Sequence, residues 1–232
     1  MSKLLIVLSA ADGWTRTDGS VYPTGYWAEE FIVMHEKFIK AGYTVDIATP
    51  SGKRPTADAK SLDPQYAGEE APRFARYIQE LSSQLNAPLD LGRVDMDVYD
   101  ALVIPGGHGP VEDLHKDPDL ARLLFAADDA GKVIGAVCHG PAGLLSARRP
   151  DGSWLFAGRR MTGFSDEEEI EFGTAENAPW LLASRMREYG GAYVRGEKNW
   201  VPFVVRDANL VTGQNPASSA ATADAVLQAL GR

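Results

Sequence analysis

Apolar and polar positions along the first fifty residues switch between two periods. Lys3 to Ser9 is an apolar run bounded by polar residues, the pattern of a strand buried on both faces. A polar stretch with Gly13, Gly19 and Pro23 follows. From about Tyr26 the spacing changes: Trp27, Phe31, Met34 and Phe38 step by four, three and four and share one face of a helix. Gly42 is placed to end that helix, and Tyr43 to Ala48 returns to a strand pattern. Residues 50–88 are less regular, with Pro- and Gly-rich ends around a predicted helix from Pro72 to Leu85. This segment reads as a covering insertion in a single domain spanning 1–232.

Further on, Ala101 to Ile104 and Val133 to Val137 are predicted as buried strands, separated by a helix from Pro118 to Ala130. A short helix begins at Pro141, a strand covers Arg160 to Thr162, and helices cover Asp166 to Phe172 and Pro179 to Tyr189. Strands at Val201 to Val205 and Leu210 to Thr212 precede a last helix, Pro216 to Leu230, with Asn215 as its N-cap. Strand and helix alternate along nearly the whole chain, which predicts an α/β fold: a mostly parallel sheet with helices on both faces. In such sheets ligands bind outside the carboxyl ends of the strands. The loops Gly106 to Pro110 and Cys138 to Pro141 are therefore where chemistry is expected.

Composition narrows the function classes. The 232 residues are 44% hydrophobic, enough for one sizeable core. A net charge of −9 argues against nucleic acid or an anionic membrane surface as partner. One cysteine excludes an internal disulfide, and the apolar run Leu4 to Leu8 is too short for a signal-peptide core or a membrane span. The expectation is a cytoplasmic protein.

That cysteine, Cys138, follows a buried strand directly and precedes a helix start within three residues. A side chain at such a bend is presented at the sheet edge, as in a nucleophile elbow. Amides of the following helix would favour thiolate, so the thiol is expected to titrate below its ordinary value of about 8.5. His139 can support the thiolate with its imidazole, or an oxyanion with its backbone N–H. Gly106 and Gly107 can turn N–H groups toward a ligand oxygen, and with His108 they are the candidate oxyanion- and substrate-binding residues. No zinc-like Cys/His spacing accompanies His108 or His115, and both read as loop or helix-surface histidines, with no metal expected.

Glu30 stands out because it falls on the apolar helix face, three residues after Trp27 and four before Met34. It reads either as a proton carrier with a raised pKa or as a helix-edge glutamate that reaches water. Glu29 is turned the other way and is expected to be solvated. The acidic run Asp166 to Glu169 with Glu171 reads mostly as a solvated helix face, capped by Ser165 or Asp166, with one acid free to orient His139.

Five stretches carry a resemblance to a known family: Thr24–Glu30, Ile104–Gly109, Ala136–Ala142, Thr162–Glu169 and Thr212–Ser218. In this order they resemble the ThiJ/PfpI superfamily, the class I glutamine-amidotransferase-like proteins. The long segment after the second strand and the late Asn-Pro-Ala-Ser are most similar to its glutathione-independent glyoxalase III branch, which includes heat-inducible chaperones and deglycases. The resemblance implies a flavodoxin-like three-layer sandwich, a nucleophile at Cys138 with Glu30 as acid/base, and a triad completed by His139 and Glu169. It also implies oxyanion donors at Gly107 and His139, a homodimer, and no cofactor. True glutamine amidotransferases need a histidine well downstream of the cysteine, and no histidine follows His139 here. The expected activity is conversion of 2-oxoaldehydes such as methylglyoxal to 2-hydroxy acids, with a protein deglycase activity open beside it. A cysteine amidase or peptidase, or a holdase chaperone, is the alternative.

Overall fold

The computed structural model describes residues 2–232. Its central sheet has seven strands: β1 (Lys3–Val7), β2 (Thr44–Thr49), β3 (Leu89–Asp90), β4 (Ala101–Ile104), β5 (Val133–Val137), β6 (Val204–Asp207) and β7 (Leu210–Gly213). The order across the sheet is β6-β7-β5-β4-β1-β2-β3, and every pair is parallel except β6 with β7. Leu4–Val7, all of β4 and nearly all of β5 are buried without exposure, so these strands carry apolar side chains on both faces.

The principal helices are α1 (Ala28–Lys40), α2 (Ala71–Glu80), α3 (Pro118–Asp129), α4 (Asp166–Phe172), α5 (Leu182–Glu188) and α6 (Ser219–Ala229). Helices α1 and α6 pack against each other, and α3 packs on β4 and β5. None is long and apolar enough to cross a membrane. Because β4 and β5 are neighbours, with Ile104 opposite Ala136, the two loops singled out above leave the sheet side by side.

Several boundaries differ from the sequence pattern for identifiable reasons. The helix expected over Pro72–Leu85 breaks at Leu81 into α2 and a short turn, Ser82–Asn86. The strand expected at Val201–Val205 lies at Val204–Asp207, because the amides of Trp200 and Phe203 are taken by the side chains of Glu168 and Ser218. Arg160–Met161 leaves the main sheet and pairs with Ala192–Tyr193. The polar stretch after β1 forms a hairpin, Gly13–Thr15 with Val21–Pro23. The final helix opens with a 3₁₀ turn, Pro216–Ser218, where the Asn215 side-chain oxygen accepts from the Ser218 hydroxyl.

Residues 53–63 hold the entry to α1. Tyr26 N–H donates to Thr56 O at 2.9 Å, and Asp58 N–H returns to Tyr26 O at 2.8 Å. The Ala28 N–H at the helix start donates to Ser61 Oγ at 3.0 Å, satisfying an amide that the helix itself leaves unpaired. Deeper in the contact of α1 with α2, buried His35 shares a 2.8 Å hydrogen bond between Nδ1 and the Tyr77 hydroxyl, and its Nε2 has no partner. Burial lowers the His35 pKa to about 4. Its neutral form is the one that fits the fold, so its contribution is complete above about pH 6.5 and is lost as pH falls toward 4. Within that window stability should fall by up to about 1.4 kcal/mol per pH unit. Urea unfolding at pH 7.5 and pH 5 measures the slope. His115, lowered to about 4 chiefly by burial, adds in the same direction, so His35→Phe should flatten the slope without abolishing it.

Candidate active site

Cys138 leaves β5 with φ of +58°, a left-handed conformation uncommon for a non-glycine residue. The bend is fixed from both sides: Cys138 N–H donates to Gly213 O at 3.0 Å, and Phe164 N–H donates to Cys138 O at 2.9 Å. Gly140 is needed two residues later, since a Cβ there would sit 2.0 Å from Ile104 O. The side chain is 4% exposed and reaches a cavity of about 440 Å³ walled by Trp27, Tyr66, Phe164, Phe172 and Trp200.

The Gly106–Gly107 loop meets Cys138 from β4. Gly107 has φ of +83°, and a Cβ on it would collide with Gly25 O at 2.3 Å and Trp27 N at 2.6 Å. Its amide points at the thiol sulfur. Gly106 N–H donates to Glu30 Oε2 at 2.6 Å, and Gly106 O accepts from Trp27 N–H at 3.0 Å. The second requirement for glycine is local crowding, because a Cβ on Gly106 would lie 2.6 Å from His139 N and 2.9 Å from Glu30 Oε2.

Glu30 is wholly buried, and its Oε1 has no hydrogen-bond partner among the described residues. Burial pushes its carboxyl well above the usual carboxylate range, against the pull of the Gly106 amide and the Cys138 thiol. Of the two readings open from sequence, the buried one is therefore the structure's. Glu29 corrects the other expectation: it lines the cavity and is half-buried, and desolvation raises its pKa too.

The expected low thiol pKa is also corrected. Burial and the neighbouring Glu30 carboxylate push the Cys138 thiol well up, and the Gly107 amide pulls only weakly the other way. The element after Cys138 is a 3₁₀ run, Gly140–Ser146, not an α-helix, so the aligned helix field invoked from sequence is reduced. The site therefore holds the sulfur toward its thiol form.

An imidazole is adjacent. Cys138 Sγ lies 3.5 Å from His139 Nδ1, and His139 Nε2 lies 2.6 Å from Glu169 Oε2. Burial and the neighbouring His108 lower the His139 pKa. The Glu169 carboxyl is held well below its ordinary range: desolvation works against ionisation, and the two imidazoles His108 and His139 overcome it. An ionised Glu169 accepts a hydrogen bond from His139 Nε2–H, which leaves the Nδ1 lone pair facing sulfur. The other carboxylate oxygen, Oε1, is bonded to His108 Nε2 at 2.7 Å and to the Thr174 hydroxyl.

Helix α4 delivers Glu169 in an unexpected way. Its N-cap is Ser165, in a capping box with Glu168, but its acidic run is only partly solvated: Glu167 and Glu171 are exposed. Glu168 and Glu169 point inward at 0% and 3% exposure, while Ile170 is 64% exposed. Glu168 is consumed by structure: it accepts from Ser165, from Trp200 N–H at 2.9 Å and from Asn215 Nδ2 at 2.8 Å.

His108 corrects the surface reading. It is buried, stacks on Trp14 at 5.0 Å and meets His139 at 4.2 Å between ring centroids. A sequence signal for this existed, since His108 is the one ionisable residue between Ala101 and Val111. Thr174 and Trp200 carried no such signal. His115 lies apart, half-buried against Trp180. His108, His139 and Glu169 bring three potential metal-ligand atoms within 4.8 Å of one another, although a cation there would have to displace the protons those histidines share with Glu169.

Comparison with known proteins agrees with this geometry. Residues 22–229 match the DJ-1/PfpI family. The chain is 30% identical to glyoxalase 3 of Candida albicans over 99% of its length and 98% of the relative's. It is also 30% identical to the glutathione-independent glyoxalase HSP31 of Saccharomyces cerevisiae, covering 98% of each. The crystal structure of glyoxalase III from Candida albicans superposes with a TM-score of 0.82 at 28% identity, over 98% of this chain and 97% of that one. With a parallel sheet presenting one left-handed cysteine between a Gly-Gly loop and a buried glutamate, and with a family match across nearly all its length, this chain belongs to the DJ-1/PfpI family.

Proposed function

We propose that this protein is a glutathione-independent glyoxalase that converts 2-oxoaldehydes such as methylglyoxal to 2-hydroxy acids, with Cys138 as nucleophile and Glu30 as proton carrier. The observation that carries the reading is the pairing of a buried thiol with a buried carboxyl of raised pKa, which has one oxygen fixed by Gly106 and the other unpartnered. A simple thiol hydrolase has no use for a second, partly desolvated acid beside its nucleophile. An enzyme that must move a proton between adjacent carbons does. The names of the Candida and Saccharomyces relatives support the same reaction.

The steps follow from the contacts. Cys138 Sγ adds to the aldehyde carbon, and its proton passes through His139 Nδ1 to the aldehyde oxygen, giving a hemithioacetal. The amides of Gly107 and His139 donate to that oxygen while it carries charge. Glu30 takes a proton from the former aldehyde carbon, leaving an enediolate, and returns it to the neighbouring carbon, while the hydroxyl proton on the former aldehyde oxygen moves to the former ketone oxygen. The product is a thioester of the 2-hydroxy acid. One water hydrolyses it, releasing lactate from methylglyoxal and restoring the thiol. Glu169, held by His108 and Thr174, keeps His139 in the tautomer that accepts from sulfur. The aromatic cavity shields the enediol from water. A deglycase activity would use the same addition and proton transfer, as the name of a relative 28% identical in Pseudomonas aeruginosa, protein/nucleic acid deglycase HchA, suggests.

The working form in this reading is a cytoplasmic homodimer. Light scattering should return about twice the chain mass of 25.1 kDa, and a value equal to the chain mass would refute the dimer.

Cys138→Ser should abolish lactate formation from methylglyoxal in the absence of added thiol while leaving the urea midpoint nearly unchanged. Peptide cleavage assayed alongside separates this reading from an amidase. Glu30→Gln should keep the side-chain shape, still permit aldehyde addition, and lower kcat by ~10²–10⁴-fold, the range of a general acid–base group. Since Glu30 acts as a base in its ionised form, kcat/KM of the wild type should rise with pH. The acid limb should lie above the ordinary glutamate value of about 4.3. A Glu30→Gln enzyme with near wild-type turnover would remove Glu30 from the mechanism.

A further inference from the structure

The walls of the Cys138 cavity carry a charge pattern for which methylglyoxal, a neutral molecule, has no use. Outside the catalytic cluster the acids lining it are Glu29 and Glu171, and no lysine or arginine lines it. Glu171 is held in place, with Oε1 accepting from Asn199 Nδ2 at 2.8 Å and Oε2 from Trp200 Nε1 at 2.6 Å. Both bonds come from neutral donors, and the carboxyl sits exposed at the rim. Glu29, half-buried on the wall, has its pKa raised by desolvation and by Glu70; a cation in the cavity would favour its ionised form.

Between these acids stand aromatic faces. Tyr66 lies 6.1 Å from Trp27 and 5.7 Å from Phe172 by ring centroids, and Phe172 lies 6.2 Å from Trp200. Trp200 is set at the rim under strain, with φ of +61°, where a bulky side chain is an outlier. Two glutamates of α4 hold it there, Glu168 on its backbone N–H and Glu171 on its indole. Strain maintained in this way at a cavity rim is characteristic of ligand clamps. Aromatic faces attract cations, and Phe172 already does so: the ammonium of Lys60, which is not part of the lining, sits 5.0 Å from its ring centroid.

We infer that the cavity contains a subsite for a cationic substituent, formed by Trp27, Tyr66, Phe172 and Trp200 with the carboxylates of Glu29 and Glu171. Among 2-oxoaldehydes it selects those bearing an ammonium or guanidinium group and discriminates against those bearing a carboxylate. The inference rests on the glyoxalase reading for turnover but not for binding.

Two measurements separate them. The first is kcat/KM for three phenylglyoxals substituted in the para position by trimethylammonio, tert-butyl or carboxylate. The first two share shape and differ in charge. The cationic substrate should exceed its neutral isostere by about two- to fivefold, the size expected of a cation–π contact at a solvent-exposed rim, and the carboxylate should be the poorest. Glu171→Gln and, separately, Glu29→Gln should narrow the cationic-to-neutral ratio, as should raising the salt concentration. Equal values for the isosteric pair, or a ratio untouched by both substitutions, would overturn the subsite. The second is binding of benzyltrimethylammonium to the wild-type protein, read by tryptophan fluorescence, with benzoate as control. Saturable binding of the cation alone supports the subsite even if methylglyoxal is not turned over, an outcome that would discard the glyoxalase reading only. Equal binding of benzoate, or none of either, overturns the subsite whatever the catalytic result.

Discussion

The left-handed backbone of Cys138 is the constraint on which the site depends. Such a conformation costs on the order of 1–3 kcal/mol and persists only where surrounding structure over-determines it. Here the surroundings are three separate segments. The end of β7 accepts the Cys138 amide through Gly213, the segment leading to α4 donates to its carbonyl through Phe164, and the end of β4 packs on Gly140 without room for a methyl group. The same contacts place the Gly106–Gly107 loop and α4 against the nucleophile. Bending the chain and assembling the site are therefore one event.

Three buried glutamates in this region show how environment divides labour among identical side chains. Glu168 has its oxygens occupied by amides, a hydroxyl and the Asn215 side chain, and it ties Ser165, Trp200 and Asn215 together. Glu169 is bound by two imidazoles and a hydroxyl, which hold it ionised. Glu30 has only the Gly106 amide and the Cys138 thiol against its burial, and its Oε1 has no partner among the described residues, so desolvation prevails and its pKa rises. Carboxyls whose pKa values are driven apart in this way are suited to different tasks. An ionised Glu169 orients a histidine, whereas a basic Glu30 can carry a proton.

The proton ledger of the resting site also differs from that of a preformed thiolate. Burial and Glu30 favour the protonated form of Cys138, and an imidazole whose Nε2 is bonded to Glu169 lies 3.5 Å from the sulfur through Nδ1. In the proposed reaction, attack by such a sulfur requires its deprotonation as the aldehyde enters the aromatic cavity.

The order of strands and helices, the two loops at the sheet's edge, and the candidacy of Cys138, His139 and Glu30 were legible in the sequence, because each rests on local periodicity or on residues adjacent in the chain. The apolar stripe of α1 placed Glu30 on its inner face, and the unbroken runs of β4 and β5 placed both loops at strand ends. Solvation was not legible. Glu29, the face of α4 and His108 all read as water-facing, yet each is at least partly buried because elements distant in sequence cover them. The run Asp166 to Glu169 gives no local reason to choose among its glutamates, and only the family resemblance pointed to Glu169. The choice is made by the packing of α4, which turns Glu169 to His108 and His139 and leaves apolar Ile170 outside. The thiol pKa went astray for the same reason: a helix start is a local feature, but desolvation and the Glu30 charge are tertiary ones, and in a buried site they prevail.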